Sequence, residues 1–371
     1  MNLENIKLSE QTKKNLLAIG YSKLTDIQEK VIPLALSGKD IIGLSQTGTG
    51  KTASFIIPVL ENLKKSNYPQ VLVLVPTREL AHQVNEETRK LSQHLKLRTL
   101  AIYGGTSIKD QLRSLRFGVD VVIGTPGRII DHLTRKTLRL DNLKFVILDE
   151  ADEMINKGFL ANIKEIIKMA PTERQTLLFS ATTSPDIEIF SRRFLKNPQT
   201  IIGEKGKNEE NNIQQYYLDT TSRQKSKNLI HFLHLNKTQL ILIFANTKRK
   251  VEEIGNLLRS KEMRVDYIHS DLSQNRRTRV LNKFRNRQFL ILIATDVAAR
   301  GIHVDDIDYV INYDFPQSPE FYIHRIGRTG RAGASGKAIT FITSPREKQQ
   351  LLKLVKQKNY QINALPAKEY L

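Results

Sequence analysis

The octapeptide SQTGTGKT at residues 45–52 closes on Gly50, Lys51 and Thr52. It meets the phosphate-loop pattern G-x-x-x-x-G-K-[ST] everywhere except at Ser45, where the first Gly would stand. Gly48 and Gly50 can take backbone angles that turn successive N–H groups toward phosphate oxygens. Lys51 would bring a mobile positive charge to the outer phosphates, and Thr52 a hydroxyl for Mg²⁺. A helix that begins here adds its dipole. Only the opening bend depends on Ser45, and Ser is small. The candidate cradle is therefore Ser45, Gln46, Thr47, Gly48, Thr49, Gly50, Lys51 and Thr52. Nucleotide hydrolysis also needs a metal-holding carboxylate, and KFVILDEAD at 144–152 places Asp149 and Glu150 just past an apolar run. Asp149 would hold Mg²⁺ through water, since Mg²⁺ dehydrates reluctantly. Glu150 would polarise the attacking water as general base.

Parallel strands must position these groups. Short Val-, Ile- and Leu-rich runs recur without alternation, among them VLVLVP (71–76), VDVVIGT (119–125), FVILDE (145–150), QLILIFANT (239–247) and FLILIATD (289–296). Such runs suit strands buried on both faces, and longer helical stretches between them indicate an α/β fold with a mostly parallel sheet. Ser184-Pro185 and Ser318-Pro319 each place a capping Ser before Pro at a helix start. The stretch 203–215, GEKGKNEENNIQQ, is nearly free of apolar residues and is the linker candidate. Two α/β domains follow, 1–205 and 213–371, with residues 206–212 between them. The last stretch, LLKLVKQKNYQINALPAKEYL, carries one helical portion and no appended basic tail.

Composition narrows the partners. The 371 residues hold 58 Lys and Arg against 38 Asp and Glu, a net charge of +20. Both halves share the excess, which favours a polyanion, nucleic acid before an anionic membrane surface. There are no cysteines, so disulfides and thiolate metal sites are excluded and a reducing, cytoplasmic setting fits. The start MNLENIKLSEQTKKNLL resembles neither a signal nor a transit peptide, and no run approaches the ~18 apolar residues of a membrane span.

Asp149-Glu150-Ala151-Asp152 spells DEAD, and with it the chain resembles the DEAD-box ATP-dependent RNA helicases over nearly its whole length. Their phosphate loop, A/S-x-T-G-x-G-K-T, accommodates Ser45. The motifs PTREL (76–80), GG (104–105), TPGR (125–128), SAT (180–182), IFANT (243–247), ATDVAARGI (294–302) and HRIGRTGR (324–331) occur in family order. The resemblance implies two tandem RecA-like domains, each a mostly parallel sheet flanked by helices. It places ATP in a cleft between them and RNA across both on another face. The compact form and the GYSKLTDIQ start resemble bacterial RhlE-like members.

The resemblance also assigns roles. Arg328 and Arg331 become arginine fingers for the transferred phosphoryl group. Gly301 lies with the ATP contacts. Gln28 offers adenine a bidentate amide contact and Tyr21 a stacking face. Thr25-x-x-Gln28 is equally a capping box. Leu24 and Asp26 replace usual prolines, and Leu3 stands where an upstream Phe is expected. RNA-backbone contacts fall to Arg78, Gly104, Gly105, Thr125, Arg128, Thr247, Arg277 and Thr295; for each Thr alone, helix capping is the simpler reading. Ser180, Thr182, Asp152, His324, Asp296 and Arg300 are assigned to coupling between hydrolysis and strand separation. The expected cofactors are ATP and Mg²⁺. The expected partners are single-stranded and duplex RNA, ribosomal precursors and RNA-decay proteins, for a cytoplasmic monomer that unwinds short duplexes locally. A nucleotide-gated RNA clamp and a DNA translocase are the competing classes.

One position departs from the family. After ARGI the family has Asp, near the ATP ribose, and this chain has His303. A neutral His keeps a hydrogen bond but loses the negative charge, which predicts weaker, pH-dependent nucleotide contact from the second domain.

Overall fold

The computed structural model describes residues 3, 6–45, 49–64, 66–95, 97–203, 213–299, 307–330, 335–358 and 360–365. The chain separates into two compact units, Met1–Gly206 and Lys207–Leu371.

The first unit is built on β1 (Ile41–Leu44), β2 (Val71–Leu74), β3 (Thr99–Ile102), β4 (Val121–Gly124), β5 (Phe145–Leu148), β6 (Gln175–Ser180) and β7 (Gln199–Ile202). They form one sheet in the order β3-β4-β2-β5-β6-β1-β7, every pairing parallel. Register is set where Val73 faces Ile147 and Ile41 faces Leu177. Successive residues of a strand point to opposite faces. Val73, Val121, Ile147 and Phe179 accordingly enter one core, and Leu72, Val122, Val146 and Leu178 the other. Helices cover both faces, so the strands need no polar side.

The second unit holds β8 (Ile213–Asp219), β9 (Ile241–Phe244), β10 (Val265–Ile268), β11 (Ile291–Ala294), β12 (Tyr309–Asn312), β13 (Gly336–Ile342) and β14 (Ile362–Ala364). Its order, β10-β11-β9-β12-β13-β8-β14, repeats the permutation of the first sheet strand for strand, again all parallel. The stretch expected to link the domains ends inside β8. Ile213 and Gln215 are buried against β13, so residues 213–215 are sheet and not linker. Residues 204–212 lie outside the described residues.

Helix starts follow local chemistry. Ser184 accepts from the Ile187 amide and Ser318 from the Phe321 amide, both at 3.3 Å, each ahead of a first-turn Pro. Among the described residues no helix is long and apolar enough to cross a membrane.

Candidate functional site

Parallel strands put their carboxyl ends on one edge of a sheet, and loops there carry the chemistry of open α/β folds. The glycine-rich loop leaves β1 at Ser45, whose amide donates to Ser180 O at 3.0 Å. Its hydroxyl sits 2.6 Å from Thr49 Oγ1. Gly50 has φ +87°, and a Cβ there would lie 2.3 Å from Gln28 Nε2, so the position demands glycine. The helix Lys51–Asn62 starts immediately after it. Lys51 is 6% exposed and its Nζ donates to Ser45 O at 3.2 Å, folding the lysine back under its own loop. Thr52 is half-buried in the first turn. Gln46, Thr47 and Gly48 lie outside the described residues.

The glutamine segment braces this loop. Thr25 Oγ1 donates to Thr49 O at 2.8 Å, and Gln28 Nε2 to Gly50 O at 2.9 Å. Gln28 Oε1 accepts from the Thr25 amide at 2.8 Å, so the capping box has formed. Gln28 is buried, and its side chain also hydrogen-bonds the Tyr21 phenol. Leu3, Leu24 and Ile27 enter the core beside it, with Tyr21 packed on the same cluster. Burial pushes the Tyr21 phenol up, and the charge of Glu87 adds to it.

Asp149 follows β5 and is 3% exposed. Burial pushes its carboxyl up, against the pull of the Lys51 charge and of the Glu150 amide, which donates to Asp149 Oδ1 at 3.0 Å. Glu150 has φ +53°, a left-handed conformation rare for a side chain of this size, and caps the helix Ala151–Asn156. Asp152 ties this turn to the next strand. Its Oδ2 accepts from the amides of Ala181 (3.2 Å) and Thr182 (2.9 Å) and from the Thr182 hydroxyl (2.9 Å). Ser180 Oγ donates to Thr182 O at 2.6 Å. The DEAD and SAT segments are thus one hydrogen-bonded unit.

The candidate RNA residues of the first unit gather at the ends of β2, β3 and β4. Thr77 caps the helix Arg78–Leu91, accepting from the Leu80 amide at 3.1 Å. A Cβ on Gly105, at φ +80°, would lie 2.1 Å from Arg78 Nη1; one on Gly104 would sit 3.4 Å from Arg78 Nη2 and 4.0 Å from Arg128 Nη2. Thr125 ends β4 with its amide on Ile102 O at 3.1 Å, and Pro126 opens the next helix. Two residues not anticipated from the sequence, Gln111 and His132, stand in a hydrogen-bonded row behind Arg128. Gln111 Oε1 accepts from Arg128 Nη1 at 3.2 Å and lies 2.9 Å from His132 Nε2. Thr137 flanks His132 Nδ1 at 2.9 Å. Burial, then the Arg128 charge, holds the imidazole below its ordinary range, so it stays neutral. Gln111 Oε1 only accepts, which places the proton on Nε2.

In the second unit, Thr247 follows β9 and caps the helix Lys248–Ser260, accepting from the Lys250 amide at 3.2 Å. Thr295 follows β11, largely buried. Arg277 Nη2 donates to Ala298 O at 3.2 Å, beside Thr295 and Asp296 in the chain. Arg328 Nε donates to His324 O at 3.1 Å. The residue that the sequence reading passed over is Arg325, 1% exposed. Its Nε and Nη2 grip Asp296 at 2.5 and 2.6 Å, Nη2 reaches Asn246 Oδ1 at 2.8 Å and Nη1 reaches Asp314 O at 2.7 Å. The carboxyl ends of β9, β11 and β12 are joined through this one guanidinium. Arg300, Gly301, His303 and Arg331 lie outside the described residues.

A family model described as DEAD/DEAH box helicase matches residues 25–190, and one described as helicase conserved C-terminal domain matches 224–333. The chain is 47% identical to the DEAD-box ATP-dependent RNA helicase CshA of Geobacillus kaustophilus, over 94% of this chain and 74% of that one. It is 44% identical to CshA of Bacillus subtilis, over 95% and 71%. CshA of Listeria monocytogenes is 47% identical over 92% of this chain and 65% of its own length. None of these three carries the RhlE name. Among solved structures, S. cerevisiae Dbp5 bound to RNA and ADP BeF3 superposes with TM-score 0.88 at 30% identity, over 98% of this chain and 95% of that one. Two all-parallel sheets flanked by helices match the tandem RecA-like plan of such helicases. By motifs, fold and relatives together, this chain belongs to the family of DEAD-box ATP-dependent RNA helicases.

Proposed function

We propose that the chain hydrolyses ATP under RNA stimulation and uses the cycle to separate short RNA duplexes locally, without processive travel. The observation that carries this reading is the Asp152 carboxylate, which bonds the segment of Asp149 and Glu150 directly to Ala181 and Thr182. Any shift of the catalytic turn during hydrolysis is passed to the strand-separating segment without slack. Lys51 and the amides of the loop bind the phosphates, Gln28 and Tyr21 face the base, and Glu150 takes the proton of the attacking water. Arg328 and Arg331 are assigned to charge on the transferred group. Arg78, Gly104, Gly105, Thr125, Arg128, Thr247, Arg277 and Thr295 hold the RNA backbone, positioning it without reading sequence.

Asp149 and Thr52 fit Mg²⁺. The cation takes one or two carboxylates together with substrate phosphates, not an all-protein cage, and no cage of three acidic, His or Cys ligands occurs among the described residues. When bound, Mg²⁺ neutralises charge on the outer phosphates. The proposed setting is ribosome assembly or RNA turnover. Phosphate release with and without single-stranded RNA, with Glu150→Gln as control, tests the reading. Hydrolysis indifferent to RNA, or undiminished in Glu150→Gln, would overturn it. Competition between single-stranded RNA and DNA at fixed salt separates an RNA helicase from a DNA translocase.

A further inference from the structure

The motif loops of the first unit all leave the carboxyl ends of their strands. The amino ends lie on the opposite edge of the same sheet, and a different chemistry is built there. The segments entering β3, β4, β2 and β5 are sewn together in sheet order. Asp120 N donates to Arg98 O at 2.9 Å, Gln70 N to Asp120 O at 2.9 Å, and Lys144 N to Gln70 O at 2.8 Å. Arg98 locks the corner. It pairs with the buried Asp120 at 3.0 Å, donates to Phe117 O at 3.1 Å and donates to Ser66 O. A Cβ on Gly118, at φ +84°, would lie 3.3 Å from Asn67 O, so the two turns touch.

On these touching turns stand Tyr68, 49% exposed, and Phe117, 73% exposed. They are the two aromatic side chains left largely exposed among the described residues. An exposed Phe forgoes its hydrophobic gain, and a Phe and a Tyr exposed on adjoining turns suit an occupant. Lys64, Arg116 and Lys144 are exposed around them. Of the acids in these segments, Asp120 is buried and paired with Arg98, and Asp141 is exposed and paired with Arg139 at 2.9 Å. Flat aromatic faces ringed by cations suit a flexible polyanion whose bases are free to stack.

We propose that this edge is a second contact for single-stranded RNA, distinct from the motif loops. Bases stack on Phe117 and Tyr68, and phosphates meet Lys64, Arg116 and Lys144. A strand or overhang held here keeps the substrate on the protein while the motif loops release and rebind. The inference rests on RNA being the substrate.

The chain has no tryptophan, so Phe117→Trp installs a single indole reporter in the full chain. Single-stranded RNA of about 20 nucleotides should quench it to saturation, and a blunt duplex should not, because its bases are already stacked. Tyr68→Ala/Phe117→Ala should bind the same RNA about tenfold more weakly, with the maximal RNA-stimulated rate of phosphate release unchanged. Unchanged fluorescence in a sample whose hydrolysis responds normally to RNA overturns the contact alone and leaves the aromatic pair to a protein partner. Equal quenching by the blunt duplex overturns base stacking. Hydrolysis that ignores RNA in the unsubstituted chain overturns the helicase reading, and this contact with it.

Discussion

Asp296→Asn isolates the charge balance at the carboxyl edge of the second sheet. Arg325 is fully buried, and all of its donors are engaged. Asp296 takes two N–H groups, Asn246, Asp314 O and Asn312 take the others, and the guanidinium carbon lies 5.1 Å from the Phe244 ring centre. The substitution keeps shape and removes the one carboxylate in that shell, so a buried cation is left facing neutral acceptors. Removing one partner of a buried pair costs about 3–5 kcal/mol. Asp296 is 14% exposed and water can reach its outer side, so the lower end applies, about 3 kcal/mol. At about 2–4 °C per kcal/mol for a unit of this size, the second unit should melt roughly 6–12 °C earlier. Scanning calorimetry of the full chain, with hydrogen exchange to assign the transition, measures it. Arg325→Lys should cost a similar amount, because an ammonium has three donors and no fork. The double variant Asp296→Asn/Arg325→Met should lose clearly less than the sum of its single changes, since no charge is then stranded. A shift under about 2 °C for Asp296→Asn, or strict additivity in the double variant, would refute the reasoning.

Gly50→Ala places a Cβ at φ +87° and 2.3 Å from Gln28 Nε2, so nucleotide affinity by titration calorimetry should fall about tenfold or more. Asp152→Ala removes the acceptor shared by Ala181 and Thr182. Duplex separated per ATP consumed should then drop further than hydrolysis itself; an equal drop in both would show that Asp152 serves catalysis only. His132 titrates below its ordinary value in the folded protein. The unfolded chain therefore takes up this proton first, near pH 6.5, and the stability His132 contributes is complete above that pH and lost as pH falls through the folded value. The melting temperature of the first unit should fall on acidification from about pH 7 to pH 5, and His132→Gln should flatten that slope.

What the sequence displayed was what acts locally. Central strands such as VLVL and FVIL are apolar throughout because both faces are covered. The overlooked strands are β7, β8 and β14. Both of these edge strands are largely exposed, and β8 places two Gln and two Tyr between its buried Ile213 and Leu218, so none is a continuous apolar run. The chemical motifs were visible because their residues are neighbours in the chain. Arg325, Gln111 and His132 were not, since their partners are remote. Asn246 lies 79 residues from Arg325, and Gln111 lies 21 from His132. A buried polar network has no sequence period, and only the tertiary fold reveals who satisfies whom. At Thr25-x-x-Gln28 the capping box and the link to the phosphate loop hold together, because the two ends of one amide serve them separately.

The repeated strand order explains why one unit carries the nucleotide loop. In the first, Lys51 opens the helix after β1, and Asp149 ends β5, two strands away in the sheet. The second unit has a similar pair after the corresponding strands. Lys225 opens the helix after β8, and Asp314 lies just past β12. There the two close on each other at 3.0 Å, and Asp314 also takes the Asn246 amide at 3.0 Å. No glycine-rich loop precedes Lys225; the sequence is Thr220-Thr221-Ser222-Arg223-Gln224. In the first unit Lys51 is instead turned back to Ser45 O, and Asp149 stays raised by burial despite that charge. An anionic ligand and its cation would satisfy both groups at once. The second unit has satisfied its pair internally, and Arg325 ties the carboxyl ends of its strands together.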